Sequence, residues 1–406
     1  MAALYLSPKE FGLNRNMNPL ARHIHAVPPS GIRRFFEIAA TMEDVISLGI
    51  GEPDFVTPQP IVEAAVASLA AGKTGYTSNA GLLSLREAIA KHLATSYGLT
   101  VSPSQVLITV GVSEALQLAM LALLNPGDEI LIPEPCFVSY GPAAAFAHGR
   151  VVYVPTSAKR KFEVTAEDIA QRITPRTKLL FLAYPSNPTG AVLRRETLLD
   201  IAELAEKHNF LVLSDEIYDQ LIYGDAHKRG HTCVPTLDAL RERTVLLGGF
   251  SKAYAMTGWR IGFAVAPPDI YKGLYKVHQY LVMSAPTMAQ YGALAALEEC
   301  ASHVEEMRQA YEVRRRLIVD GLRVAGLPTF EPEGAFYCFP DIRSTGLSSE
   351  DFAQGLLRDE KVAVVPGDAF GPSGAGFVRC SYATADHLVE EAIRRIARFV
   401  RKAQAA

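Results

Sequence analysis

The chain has 406 residues, of which 49% are hydrophobic and 20% charged, with a formal net charge of -3 at pH 7. This composition predicts a globular protein of two or three domains, and its near-neutral balance argues against a nucleic-acid surface or a polybasic membrane contact. Five cysteines without a CxxC pair argue against a disulfide framework and a zinc site, so we expect a cytoplasmic protein that binds no metal. The N-terminus lacks the apolar segment of a signal peptide, and the longest apolar stretch, ALQLAMLALL, has about half the length that a bilayer requires.

The predicted elements fall into three parts along the chain. Residues 1–45 have no periodic pattern and are rich in Pro and Arg, so we expect an arm that packs on the rest of the molecule. From about Thr57 to Ser284, helical patterns separate short apolar segments that we predict to be strands, namely VLITV, EILIP, VVYVP, KLLFLAY, FLVLS, TVLLG and IGFAVA. Apolar strands that alternate with helices predict an α/β fold, a mainly parallel sheet covered by helices on both faces.

The pattern changes near Glu298, where a smaller α+β unit is predicted. HVEEMRQAYEVRRRLIVDGLRVAG indicates one long amphipathic helix that ends at a glycine. Strands are predicted at GAFYCFP, VAVVPG and FVRCSYA, and a last helix at ADHLVEEAIRRIARFV. We therefore expect an arm and part of the small domain in 1–52, a large domain in 53–298 and the rest of the small domain in 299–406.

The most informative single residue is Lys252, in the segment GGFSKAYAMTGWRIG at positions 248–262. A lysine on a turn of small residues after a buried strand loses solvation, so its pKa falls and its amine becomes a nucleophile. An ordinary surface lysine is the alternative, although the apolar and small neighbours on both sides are poor surroundings for a solvated charge.

If Lys252 bonds the aldehyde of pyridoxal phosphate, a carboxylate must face the pyridine nitrogen of that cofactor. Asp215 ends the predicted strand in FLVLSDEIY, where sites form in open α/β sheets. It could equally be the N-cap of the next helix. Tyr218, three residues later, could bond the ring hydroxyl or simply pack.

A phosphate group needs hydrogen-bond donors, and TVGVSEALQLAMLALL supplies a strand, a glycine turn and the start of a helix. The amides of Val112, Ser113 and Glu114 and the Ser113 hydroxyl would point at an anion on the helix axis. Arg260, eight residues after the lysine, would add a two-pronged charged contact. On its own, Ser followed by Glu is also an ordinary helix start.

Three further residues have both a functional and a structural interpretation. Asn187, in YPSNPTG, would lie at a strand end beside Asp215, although the segment also reads as a proline turn. Phe137, in EPCFVSY, could stack on a flat ring or belong to the core. Arg379 lies among apolar and small residues in GFVRCSYATA and needs an anionic partner, either a substrate carboxylate or an internal Asp or Glu.

As an ordered set, these segments resemble the class I/II aminotransferases, which are fold-type I pyridoxal-phosphate enzymes, and within them the prokaryotic aspartate/aromatic group. The resemblance covers nearly the whole chain. Its motifs are ISLGIGEPDF, GYTSNAGLLSLREAIA, SNPTG, SDEIY, SKAYAMTGWRIG, GAFY, VAVVPG and FVRCSYATA.

The resemblance implies how the cofactor ring would be held. Lys252 would bond the aldehyde and move the proton between the α-carbon of the substrate and the cofactor. Asp215 would hold the pyridine nitrogen, Asn187 and Tyr218 would bond the ring oxygen, and Phe137 would stack on the ring.

The resemblance also implies the phosphate and substrate contacts. The phosphate-binding set would be Val112, Ser113, Glu114, Ser251, Arg260 and, from the neighbouring subunit, Tyr76. Arg379 would hold the α-carboxylate of the substrate, helped by Asn187 and the Gly51 amide. A tyrosine that serves the other subunit implies a homodimer with shared active sites.

The chain departs from the family pattern at Gly248 and Gly249, since many relatives carry Ser or Asn just before the lysine segment. We expect one side-chain bond to the phosphate or the scaffold to be replaced there by backbone amides or water, at some cost in cofactor affinity.

The implied activity is an aminotransferase with ping-pong kinetics, which moves an amino group from an L-amino acid to a 2-oxo acid such as 2-oxoglutarate. A β-lyase or another elimination enzyme on the same fold is the alternative. A third possibility, the ligand-binding half of a transcription regulator, is disfavoured because the 45-residue arm is too short for a helix-turn-helix domain.

Aspartate and aromatic amino acids are the candidate donors. The sequence has no obvious second arginine for a distal carboxylate, and Ser113 stands where some aspartate-preferring relatives carry lysine. An apolar pocket could be lined by Tyr5, Phe11, Ile32, Phe36, Ile50, Phe336 and Tyr337, although core packing explains most of them equally well.

Overall fold

A seven-stranded sheet forms the centre of the computed structural model, which describes residues 21–25, 27 and 42–405. Its strands are β2 (Val106–Thr109), β3 (Glu129–Glu134), β4 (Arg150–Pro155), β5 (Thr177–Ala183), β6 (Leu211–Asp215), β7 (Thr244–Gly249) and β8 (Gly262–Val265). They lie in the order β2-β8-β7-β6-β5-β3-β4. All seven predicted segments form strands, and only β8 runs against its neighbours. The predicted α/β fold with a mainly parallel sheet is confirmed.

Helices cover both faces of this sheet, and others pack in the C-terminal part. In chain order, those of the described part are α1 (Arg22–His25), α2 (Gln59–Ala70), α3 (Leu83–Tyr97), α4 (Gly111–Leu123), α5 (Tyr140–Phe146), α6 (Ala166–Ala170), α7 (Arg195–His208), α8 (Gly224–Arg229), α9 (Asp238–Arg241), α10 (Pro268–Leu281), α11 (Thr287–Glu299), α12 (Ala301–Val324), α13 (Ser349–Glu360) and α14 (Asp386–Gln404). Within the described ranges, none of them has the length and apolar character needed to cross a membrane.

Both faces of the sheet are buried, because the strands carry apolar side chains in both of the directions in which successive residues point. Successive residues of a strand point to opposite faces, so Leu213 joins the core beneath α4, α5 and α10, whereas its neighbour Val212 joins the core beneath α6 and α7. Both side chains have no exposed surface. An apolar strand without alternation is what a doubly covered sheet requires.

The C-terminal part has its own small sheets. Strands β9 (Tyr337–Cys338), β11 (Val365–Pro366) and β12 (Val378–Ser381) form an antiparallel sheet in the order β11-β12-β9. Two further strands, β1 (Ile46–Ser47) and β10 (Val362–Ala363), pair in parallel. Helices α12, α13 and α14 complete the core around them. The long predicted helix is present as α12.

One strand prediction needs correction. VAVVPG is not a single strand: it divides at Val364 into β10, which pairs with β1, and β11, which pairs with β12. The two halves bond to partners from opposite ends of the sequence, and such a change of partner leaves no mark on an apolar run. The predicted N-terminal arm lies mostly outside the described residues.

Candidate active site

The candidate residues collect at the carboxyl edge of the seven-stranded sheet. Asp215 is the last residue of β6, and residues 250–261, which include Lys252, connect β7 to the antiparallel β8 at the same edge. Parallel strands all end at one edge of the sheet. Because β8 runs antiparallel to β7, the segment that joins them lies at this same edge. Because β6 and β7 are neighbouring strands, Asp215 and Lys252 lie at the same part of this edge.

Lys252 is partly buried at this edge. Its Nζ donates a hydrogen bond of 2.7 Å to the carbonyl oxygen of Gly51, and it lies 6.0 Å and 5.9 Å from the ring centres of Tyr218 and Phe336. Burial lowers the pKa of the amine from 10.5 to about 8; nearby Glu52 opposes this shift and Arg379 adds to it. A substantial fraction of such an amine is unprotonated at neutral to mildly alkaline pH.

Asp215 is a buried carboxylate with two donors. Tyr140 donates from its hydroxyl to Oδ2 at 3.0 Å, and the Ile217 amide donates to Oδ1 at 3.2 Å. Burial raises the pKa of Asp215 to about 6, although both hydrogen bonds act in the opposite direction. The N-cap alternative does not apply, because β6 is followed by a turn that holds no regular helix before Gly224.

Tyr140 is a site residue that the sequence reasoning missed. It begins α5, three residues after Phe137, and the two rings meet edge to face at 5.6 Å. Phe137 itself is half-buried. A phenylalanine and a tyrosine at helical spacing in EPCFVSY gave the only available signal, and it could not indicate the bond to Asp215.

Tyr218 faces the site together with a second tyrosine. Its hydroxyl lies 2.9 Å from the hydroxyl of Tyr337, and both side chains are buried. A Cβ added at Gly51 would lie 2.5 Å from that Tyr337 hydroxyl, so glycine is needed there. Of the predicted pocket residues, Phe336 is fully buried core, Ile50 is half exposed, and Tyr5, Phe11, Ile32 and Phe36 lie outside the described residues.

Arg379 is a buried guanidinium without a carboxylate partner among the described residues. Its Nη1 donates to Oδ1 of Asn187 at 2.9 Å, and its Nη2 donates to the carbonyl oxygen of Gly49. Its Nε is buried with no partner in the same part of the chain. The group lies over the rings of Tyr337 and Phe370, at 4.5 Å and 5.0 Å from their centres. The internal Asp or Glu considered as the alternative is therefore not found.

The start of α4 forms an anion cradle. The backbone amides of Gly111, Val112 and Ser113 precede the first i→i−4 hydrogen bond of this helix, so they have no partner within it. Arg260 Nη2 lies 3.5 Å from the Ser113 hydroxyl. A Cβ at Gly111 would lie 2.6 Å from the same Nη2, so only glycine lets the guanidinium approach the helix start. Val112, Ser113 and Arg260 are thus brought together.

The remaining candidates lie around this cradle. Ser251 is buried directly before Lys252. Tyr76 is 83% exposed. Its loop is fixed from below: Gln290 accepts the Leu82 amide at 2.7 Å and donates to Thr77 at 3.1 Å.

The two glycines before the lysine segment have a packing reason. A Cβ at Gly248 would lie 2.3 Å from the ring of Phe263, which is its register partner on β8. At Gly249 it would meet Ile217, Val112 and the backbone of β8 at 3.1 to 3.2 Å. A serine or asparagine would not fit at Gly248 while Phe263 keeps its place.

Comparison with known proteins supports the same interpretation of the site. The family described as Aminotransferase class I and II matches residues 43–396. A putative aminotransferase of Bacillus subtilis, YugH, is 50% identical over 94% of this chain and 98% of its own, and an aspartate aminotransferase of Pyrococcus abyssi is 45% identical over the same shares. The crystal structure of an aromatic aminotransferase from Pyrococcus horikoshii superimposes with a TM-score of 0.87 at 44% identity, over 93% of this chain and 100% of that one.

Members of this family depend on pyridoxal phosphate, and the resemblance noted in the sequence is confirmed along most of its length. The chain is an enzyme of the class I and II aminotransferase family.

Proposed function

We propose that this aminotransferase binds pyridoxal phosphate at the carboxyl edge of the sheet and moves amino groups from aspartate or an aromatic amino acid to a 2-oxo acid such as 2-oxoglutarate. The observation that carries the proposal is the meeting of three groups at one edge. These are an amine of lowered pKa (Lys252), a buried carboxylate (Asp215) and a buried guanidinium without a carboxylate partner in the described chain (Arg379).

The residues present fit this cofactor. When bound, it supplies an aldehyde for an amine and a ring that accepts electrons from the α-carbon of the substrate. The cradle of Val112, Ser113, Glu114 and Arg260 offers amide donors, a hydroxyl and a guanidinium for the phosphate. Glycine at position 111 leaves the cradle open, because a side chain there would collide with the Arg260 guanidinium. Ser251 lies at the same end of β7 and completes the proposed set.

Four side chains would orient the ring. Asp215 would face its nitrogen and keep a proton there, since Tyr140 and burial together hold that carboxylate in place. Asn187 and Tyr218 would donate to the ring oxygen, and Phe137 would cover one face. Each of them lies at or next to the strand ends that frame Lys252.

Lys252 would act as the general base. An amine with a pKa of about 8 can take the proton from the α-carbon and return it, because its basicity matches the working pH. Arg379 would hold the α-carboxylate with a two-pronged contact, and Asn187 and the Gly51 amide would assist. This grip fixes which hydrogen faces the lysine.

The donor class rests on the relatives and on Ser113. One relative acts on aspartate and another on aromatic amino acids by name. Ser113 in place of a lysine leaves no cation at that position for a distal carboxylate. The alternative of a β-lyase is not favoured, because the named relatives are aminotransferases.

We also infer a homodimer with shared sites, in the cytoplasm. Exposed apolar residues surround the Tyr76 loop, namely Tyr280, Leu281, Val282, Met283 and Met288. Asn79 donates to the Met283 carbonyl at 2.9 Å, which ties the loop to this surface. A second copy would cover both and bring Tyr76 to its phosphate. The cytoplasmic location is supported by five buried, unpaired cysteines.

The division into 1–52, 53–298 and 299–406 is part of the same proposal. It is supported by the separate sheets and by β1, which pairs with β10 and so attaches the early segment to the C-terminal part. Limited proteolysis near residue 298 tests it.

The test of function adds one amino acid at a time to the holoenzyme, without oxygen and without a 2-oxo acid. We expect the cofactor absorbance to change to that of its amine form, with one keto acid released per site. The most effective amino acid identifies the donor class. Accumulation of ammonia and pyruvate with an unchanged spectrum would instead establish an elimination enzyme.

A further inference from the structure

The cradle at the start of α4 contains a carboxylate in a position that opposes its proposed ligand. Glu114 is the acidic residue in the first turn of α4. The first turn of a helix attracts anions, so a second negative charge there competes with the phosphate. The Glu114 side chain turns back over the helix start, where Oε2 accepts the Val110 amide.

His278 takes up the other oxygen of this carboxylate. Its Nδ1 lies 2.7 Å from Glu114 Oε1, and the residue has no exposed surface. A carboxylate accepts, so Nδ1 carries the hydrogen, whichever form the rest of the ring takes. Nε2 is buried without a partner in the described chain. An imidazole buried with one nitrogen unpaired is costly, and within the described residues its one side-chain hydrogen bond is to Glu114.

The same histidine reaches the loop that carries Tyr76. Its carbonyl oxygen accepts the amides of Val282 and Met283 at 3.0 Å and 3.1 Å, just beyond the end of α10. Met283 in turn accepts from Asn79. His278 thus lies between the start of α4 and the loop proposed to reach the other subunit.

We propose that His278 is a positioning residue for the phosphate of the cofactor. It donates to Glu114, keeps that carboxylate turned back onto the Val110 amide, and disperses its charge away from the cradle. Without this donor the carboxylate is free to swing towards the helix axis, where it competes for the amides of Val112 and Ser113. The inference rests on the proposed function, because it needs the cradle to bind phosphate.

The test measures two dissociation constants, one for pyridoxal phosphate and one for pyridoxal. Pyridoxal lacks the phosphate group of the cofactor. Both can bond Lys252 and face Asp215, so the ratio of the two constants isolates the cradle. In His278→Phe, we expect the phosphorylated form to bind about five- to tenfold more weakly, the scale of a partly buried charge at a helix end. Pyridoxal should change by less than about twofold.

Three variants make the comparison specific. His278→Asn retains a donor near the position of Nδ1 and should recover most of the ratio. In a His278→Phe background, Glu114→Gln removes the competing charge and should also recover it. His303→Phe changes another histidine with a buried unpaired nitrogen, on α12, and should leave the ratio unchanged. If His278→Phe does not fold, His278→Met serves in the same comparisons.

The outcomes separate the two ideas. If the natural protein binds pyridoxal phosphate no more tightly than pyridoxal, the proposed phosphate cradle is wrong. If it prefers the phosphorylated form and the apolar variant of His278 keeps the full preference, only the role of His278 is overturned. Equal weakening of both ligands would reduce His278 to a packing residue and would overturn the inference as well.

Discussion

Replacing Lys252 by methionine should stabilise the cofactor-free protein while it abolishes turnover. The amine is buried at a cost, which its pKa records: 10.5 in water and about 8 in the fold. At 1.36 kcal/mol for each pH unit, the protonated amine destabilises the fold by at most about 3 kcal/mol. Residual solvent contact lowers this figure, and loss of the bond to the Gly51 carbonyl offsets about 1 kcal/mol of the gain.

The pH dependence has a definite sign. Between pH 8 and 10.5 the unfolded chain binds the Lys252 proton and the folded protein does not, so the contribution of Lys252 to the stability of the natural protein rises with pH across this window. Below pH 8 both states hold the proton and the full penalty applies. The advantage of Lys252→Met should therefore be largest near pH 7 and should shrink towards pH 10.

Trp259, the single tryptophan, provides the assay because it lies in the same segment as Lys252 and its indole donates to the distant Thr57 at 2.9 Å. Thermal unfolding of cofactor-free protein is followed by its fluorescence from pH 7 to pH 10. An unfolding entropy of about 2.1 cal/mol/K per residue converts the remaining net gain of about 1 to 2 kcal/mol into a rise in Tm of roughly 1 to 2 °C. Lys73→Met, at an exposed lysine, is the control and should change Tm little at any pH. A Lys252→Met protein that melts below the natural one at pH 7, or whose advantage is independent of pH, would refute the reasoning.

Three other predictions concern the rest of the site. Arg379→Ala should lower kcat/KM for every amino acid by about a hundredfold, because a buried charge-assisted contact is worth 2–5 kcal/mol; steady-state kinetics measures this. Gly248→Ala should destabilise the protein by about 1–3 kcal/mol through its clash with the Phe263 ring, and Phe263→Leu in the same chain should restore part of the loss in urea unfolding. Hybrid dimers of a Lys252→Ala subunit with a Tyr76→Phe subunit should contain one intact site, and their activity should exceed that of either parent.

Each of these has its own control. Arg358→Ala, at an exposed arginine of the C-terminal part, should leave kcat/KM unchanged. If Phe263→Leu alone stabilises as much as it does beside Gly248→Ala, the clash does not explain the loss. Hybrids no more active than the Tyr76→Phe parent would place Tyr76 in the site of its own chain, or outside any site.

The central sheet was predictable because each of its strands is short, apolar and bounded by helices or turns. Pairing was not: VAVVPG serves two sheets, and nothing in six apolar and turn residues distinguishes Val362 from Val365. The site shows the same limit. Asp215 could be found as the end of a strand, but its donor Tyr140 comes from 75 residues earlier in the chain. Gly248 suggested a missing bond, whereas the register of β7 and β8 sets Phe263 against it. The catalytic roles themselves stay predictions.

Two of the cationic groups of the site, Arg379 and Lys252, donate to main-chain oxygens of one short segment, Gly49 for Arg379 and Gly51 for Lys252. A carbonyl is a dipole and carries no net charge, so it satisfies a donor without neutralising it. The charge of Arg379 therefore remains available to an incoming carboxylate, which has to displace only an uncharged acceptor. No side-chain substitution can remove a main-chain carbonyl, so a scan of side-chain mutations would not detect the role of the Gly49 and Gly51 oxygens.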